Sequence, residues 1–151
     1  MDTFWEEITL RSLSNSNQLE HIIILLVAAT VLGAIVGIER EKARKPAGLR
    51  THMLVCLGTT TLILACSEAG MSTEELSRVI QGVVTGIGFI GAGSILKLND
   101  ARDIKGLTTA ASVWMTAAIG VSVGLGGLGI AILCTFLTLI ILVLDRPGEK
   151  S

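Results

Sequence analysis

Apolar residues run almost unbroken through five stretches of this chain: Ile22–Ile38, Thr51–Ala69, Val79–Leu96, Leu107–Gly124 and Leu128–Leu144. Glu68 is the one acidic residue inside them, and none contains Lys or Arg. A helix needs about 17–25 mainly apolar residues to cross roughly 30 Å of hydrocarbon, and each stretch fits that length. The pattern predicts an all-α fold, a polytopic membrane helix bundle with five transmembrane helices. The division least obvious from hydropathy is the last one, because Leu107 to Leu144 carries no charge and is about twice a span long. Gly124, Gly126, Gly127 and Gly129 sit at its middle, where a tight reversal needs permissive backbone, so the stretch is split there.

Composition adds little and charge adds more. Half of the 151 residues are apolar and the mean hydropathy is +0.70, which leaves room for one membrane domain and short connections. The expected layout is a tail over 1–21, a five-helix domain over 22–144 and a second tail over 145–151. The net charge of −1 conceals an asymmetry. Arg40, Lys42, Arg44, Lys45 and Arg50 flank the first connection, Lys97, Arg102 and Lys105 lie in the third, and Arg146 and Lys150 follow the last span. Only Arg11 and Arg78 fall on the other side. The positive-inside rule then places the N-terminus outside and the C-terminus in the cytoplasm. The N-terminus has no basic region of the kind that opens a signal peptide, so the first span is expected to be retained. Trp5 stands as an interfacial anchor in a short amphipathic turn or else in a disordered tail.

Small residues recur at helical spacing. Ala29, Gly33 and Gly37 line the first span, Gly82, Gly86 and Gly93 the third, and Ser112, Thr116, Gly120 and Gly124 the fourth. In lipid, helices associate through close backbone approach rather than hydrophobic exclusion, so Gly33, Gly37, Gly82, Gly86, Gly88, Gly91, Gly93 and Gly120 are expected to pack. Gly86–Gly91 also reads as the dinucleotide fingerprint, but that motif needs a strand before it and an acidic residue after it. Here it lies inside a span, where a kink or packing site is expected. Cys56, Cys66 and Cys134 all fall within spans and are read as apolar fillers rather than disulfides.

Candidate chemistry concentrates where the first two spans meet their basic connection. Glu39 is positioned to pair with Arg40 or Arg50, whose planar fork suits a carboxylate. Plain anchoring of the bases beside anionic lipid heads is the alternative. His52 lies about one turn into the second span, more a hydrogen-bonded neutral ring than a ligand. Asp100 and Asp103, interleaved with Arg102 and Lys105, make a poor magnesium site and read as solvated loop charge. Gln81 and Trp114 are polar groups in unusual membrane positions. No catalytic triad, metal-ligand spacing or phosphate loop is present, so no enzyme, cofactor, metal or nucleic acid is expected.

Four blocks carry a resemblance. They are Gly33-Ala34-Ile35-Val36-Gly37-Ile38-Glu39-Arg40, Ala47-Gly48-Leu49-Arg50-Thr51, Gln81 through Gly93, and Lys105-Gly106-Leu107-Thr108-Thr109-Ala110-Ala111-Ser112-Val113-Trp114. In order and spacing, over roughly Leu26–Leu144, they resemble the signature blocks of the MgtC/SapB family of bacterial inner-membrane proteins. The resemblance implies a five-helix membrane domain and a role in growth at low magnesium and in survival inside host cells. It implies action on other membrane proteins, including inhibition of the rotary ATP synthase, with effects on membrane potential and phosphate balance. By position it nominates Glu39, Arg40, Arg50, Thr51, Gln81, Thr108, Thr109 and Trp114 as functional, with His52 where many members have Asn. Many members continue into a soluble domain after the fifth helix, whereas this chain stops seven residues after Leu144. Expected partners are the lipid bilayer, another membrane protein such as the ATP synthase or a transporter, and a second copy of the chain. The rival expectation is a small magnesium or other ion transporter or channel, which would draw on Gln81, the threonines and the acidic outer face.

Overall fold

The computed structural model describes residues 16–97 and 104–144. Five helices follow one another: α1 (Ser16–Lys42), α2 (Leu49–Glu68), α3 (Thr73–Gly93), α4 (Leu107–Gly124) and α5 (Leu128–Leu144). The first four are long and apolar enough to cross a membrane, and α5 is a slightly shorter apolar helix of 17 residues. Between α3 and α4 a short antiparallel pairing sets Leu96 opposite Lys105 and Lys97 opposite Ile104. Trp5, Asp100, Arg102, Asp103, Arg146 and Lys150 lie outside the described residues, and so do the expectations placed on them.

The bounds of α4 and α5 coincide with the apolar stretches, and the glycine reversal is where the sequence puts it. Gly126 has φ +80, and Gly127 N–H donates to Ser122 O at 2.8 Å. The other helices begin before their apolar cores. Hydropathy marks the depth of hydrocarbon, whereas a helix continues for as long as its ends are satisfied. Helix α3 starts at Thr73 instead of Val79 because Ser72 and Glu75 form a capping box: Glu75 N–H donates to Ser72 Oγ (3.3 Å), and Ser72 N–H donates to Glu75 Oε2 (2.8 Å). It ends at Gly93, so Leu96 belongs to the strand pairing rather than the helix. Helix α2 is capped from its neighbour. Gly48 has no capping side chain, and Glu41 of α1 accepts from Leu49 N–H at 2.9 Å.

Helix α4 is central and touches all four others, whereas α3 rests on α4 and only lightly on α2. The α1–α2 and α2–α4 interfaces are close backbone contacts. A Cβ on Gly33 would lie 2.7 Å from His52 O, and one on Gly37 would lie 2.7 Å from Leu49 Cα. A Cβ on Gly120 would run into Thr59 Oγ1 and Cys56 O, while Thr60 Oγ1 donates to Gly120 O at 2.7 Å. Leu25, Ala29, Leu32, Val36, Cys56, Ile119 and Val123 fill the space between these helices. Outward-facing Ile23, Val27, Leu54, Leu62, Ile132, Leu133 and Ile141 leave an apolar exterior suited to lipid.

Packing at Gly33, Gly37 and Gly120 agrees with expectation, and Gly91 makes ordinary contact with Ala110. At Gly82, Gly86, Gly88 and Gly93 a Cβ would meet nothing within 4 Å among the described residues. Only Ile87 and Gly91 of α3 are buried; Gly82 and Gly86 line an open groove between α2 and α3, and Gly88 and Gly93 are exposed.

Candidate functional site: a buried polar cluster at the basic end

The antiparallel order brings the last turn of α1, the first turns of α2 and α4 and the last turn of α5 to one end of the bundle. Glu39 and Arg40 close α1 there, and both are buried, at 8% and 1% exposure. Arg40 Nε donates to Glu39 Oε2 at 2.5 Å. Its Nη2 reaches across to α5 and donates to Leu142 O at 3.4 Å, while Nη1 is buried with no acceptor among the described residues. The guanidinium has five N–H donors and no acceptor of its own, so it organises whatever oxygens surround it. Of the two pairings the sequence allowed for Glu39, the structure forms the one with Arg40; Arg50 is exposed.

His52 is fully buried on the α2 face turned toward α4. Its Nδ1 lies 2.9 Å from Gly48 O, and its Nε2 lies 3.2 Å from Ser112 Oγ. A carbonyl can only accept, so Nδ1 carries a proton and donates to Gly48. In the neutral ring Nε2 is then an acceptor. Ser112 has one hydroxyl proton and two acceptors in reach, His52 Nε2 and Thr109 O at 2.8 Å. The ring thus ties the start of α2 to the start of α4 through a hydroxyl with a choice of partner. Hydrogen-bonded in this way, buried polar groups are tolerated in a membrane bundle.

The residues nominated by sequence divide into three groups. Glu39, Arg40, His52 and Thr109 lie in or against the buried cluster. Thr51 is half-buried one residue before His52, and Thr108 and Trp114 line a groove between α4 and α5. Gln81 is exposed on α3, away from the cluster, and its carbonyl accepts from Thr85 Oγ1 at 2.9 Å. Sequence reasoning missed Ser112 as the partner of His52. A signal for it existed: Ser112 opens the small-residue stripe of α4, and the same stripe places Gly120 on Cys56 and Gly124 on Ile63 of α2. Counting back two turns from Gly120 puts Ser112 beside His52. The contributions of the Leu142 carbonyl and of Glu41 as a cap had no sequence signal. Among the described residues no group of three His, Cys, Asp or Glu side chains is placed to hold a metal ion.

A model of the MgtC family matches residues 26–151. The chain is 39% identical to Protein SrpB of Synechococcus elongatus over 78% of its own length and 70% of that protein's. It is 45% identical to Putative magnesium transporter YhiD of Escherichia coli K12, over 82% of the chain and 59% of YhiD. It is 40% identical to Protein MgtC of Salmonella typhimurium, over 85% of the chain and 54% of MgtC. The chain therefore spans little more than half of the latter two relatives. No solved structure matches it.

Proposed function

The chain belongs to the MgtC family, and from that premise we propose that it is a non-catalytic protein of the bacterial inner membrane that adapts the cell to low magnesium by binding another membrane protein. In this reading the N-terminus is outside and the basic end is cytoplasmic, as the placement of Arg40, Lys42, Arg44, Arg50 and Lys105 favours. The observation that carries the reading is the uncovered face of α3. A helix that buries only Ile87 and Gly91 in its own bundle, and leaves Gly82 and Gly86 exposed in an open groove beside α2, offers the close backbone approach by which membrane helices recognise one another. Phe89 at 85% exposure stands on the same helix as an aromatic anchor. A rotary ATP synthase or a transporter is the proposed class of partner.

Beside Gln81, the threonines and the acidic residues opposite the basic end, the transport reading draws on the name given to YhiD. Intramembrane charges usually mark ion pathways, and here the buried carboxylate Glu39 is occupied by Arg40. Two experiments separate the readings. Purified protein in liposomes is expected to leave an imposed magnesium gradient intact, and a flux above empty vesicles would refute the binding reading. In cells starved of magnesium, Gly86→Leu is expected to abolish both crosslinking to a membrane partner and low-magnesium growth. Gly86 is exposed and a Cβ there meets nothing within 4 Å among the described residues, and an unchanged unfolding midpoint of the variant separates loss of this face from loss of the fold. Growth and crosslinking equal to wild type would remove the α3 face from the mechanism.

A further inference from the structure

The first two turns of α4 and the second half of α5 border a groove of about 600 Å³. Its walls are almost wholly apolar, with Met115, Cys134 and Leu142 prominent and the hydroxyls of Thr108, Ser112 and Thr138 spaced along them. Thr138 Oγ1 donates to Cys134 O of its own helix at 2.7 Å and the wall is otherwise mostly apolar, so the groove offers water few partners. Trp114 and Ile141, both substantially exposed, form its lips. It therefore opens sideways to whatever surrounds the bundle.

The mouth of the groove is cationic. Exposed Lys105 precedes α4 by two residues. The first turn of α4 has no acidic residue and no capping side chain, so the positive end of the helix is unneutralised by its own sequence. Leu142, which lines the groove, accepts through its carbonyl from the buried Arg40 guanidinium, whose Nη1 has no acceptor among the described residues.

We propose that this groove is a binding site for one anionic phospholipid. An acyl chain lies between α4 and α5, and the phosphate sits at the mouth between Lys105 and the N-terminus of α4. Charge complementarity selects this occupant over a zwitterionic lipid, and the apolar depth selects it over a free anion.

The test is lipid retention. The full chain is reconstituted in equimolar phosphatidylglycerol and phosphatidylcholine, extracted in mild detergent, and weighed intact by native mass spectrometry. About one phosphatidylglycerol per chain should survive extraction, enriched several-fold over phosphatidylcholine. Lys105→Glu should lower that enrichment by about fivefold, as expected for one interfacial cation. Arg44→Glu, an exposed base at the same end on the α1–α2 connection, should leave it unchanged. Ala111→Trp should displace the lipid by filling the groove from its exposed side, with an unaltered unfolding midpoint. Equal retention of both lipids would overturn the proposal, as would equal loss in the Lys105 and Arg44 variants, or full retention in Lys105→Glu. A protein held at the groove in place of lipid would do the same.

Discussion

Adding one methyl group at Gly120 tests the idea that contact at the backbone holds this bundle together. In Gly120→Ala the new Cβ would occupy the space of Thr59 Oγ1 and of the Cys56 carbonyl. The Cys56 carbonyl is backbone and cannot rotate away. Thr59 is itself fixed by donating to Val55 O at 3.0 Å and Cys56 O at 3.1 Å. The two helices must therefore separate, at a typical overpacking cost of about 1–3 kcal/mol. Separation also stretches the 2.7 Å bond from Thr60 Oγ1 to Gly120 O, a bond worth about 0.5–1.5 kcal/mol. The sum, about 1.5–4.5 kcal/mol, exceeds the gain of up to about 1 kcal/mol from replacing helical glycine by alanine. Gly86→Ala is the control: it has the same chemistry and the same propensity gain, with nothing within 4 Å. Reversible unfolding in mixed micelles, followed by circular dichroism against the mole fraction of SDS, should show Gly120→Ala clearly destabilised and Gly86→Ala unchanged or slightly stabilised. A Gly120→Ala protein as stable as the Gly86→Ala protein would refute the reasoning.

Glu39→Gln should destabilise the same unfolding transition by about 3–5 kcal/mol, because it leaves the Arg40 charge buried without its carboxylate. Ser112→Ala should cost about 1–3 kcal/mol by stranding the buried Nε2 of His52, and Ser112→Thr, which keeps the hydroxyl, should restore most of it. Glu41→Ala should accelerate amide exchange at Leu49 in the first turn of α2 while protection at Thr60 is unaffected; unchanged exchange at Leu49 would remove Glu41 as the cap. Alkaline phosphatase fused after the last residue should be inactive in whole cells, and activity there would reverse the proposed orientation.

The bundle was readable wherever the sequence carried a global constraint. The glycines at 124–129 marked the α4–α5 turn because the chain must reverse there without charge, and the Glu39–Arg40 pair stood out because ionised groups in a membrane need partners. Helix starts were less readable, because Ser72 and Glu75 extend α3 through hydrogen bonds that hydropathy does not register. Gly91 lies against Ala110, whereas Gly82, Gly86, Gly88 and Gly93 meet no described neighbour within 4 Å. A small-residue stripe says that a close neighbour can approach, not which molecule provides it. The His52–Ser112 contact depends on the register of two helices sixty positions apart, which neither local pattern contains.

The bond from Arg40 to the carbonyl of Leu142 joins residues 102 positions apart. Synthesis runs from the N-terminus, so the guanidinium is made well ahead of its acceptor on α5. Until α5 is delivered, Arg40 remains in a half-built assembly without this bond, and a product cut short after α4 would keep that polar group without it.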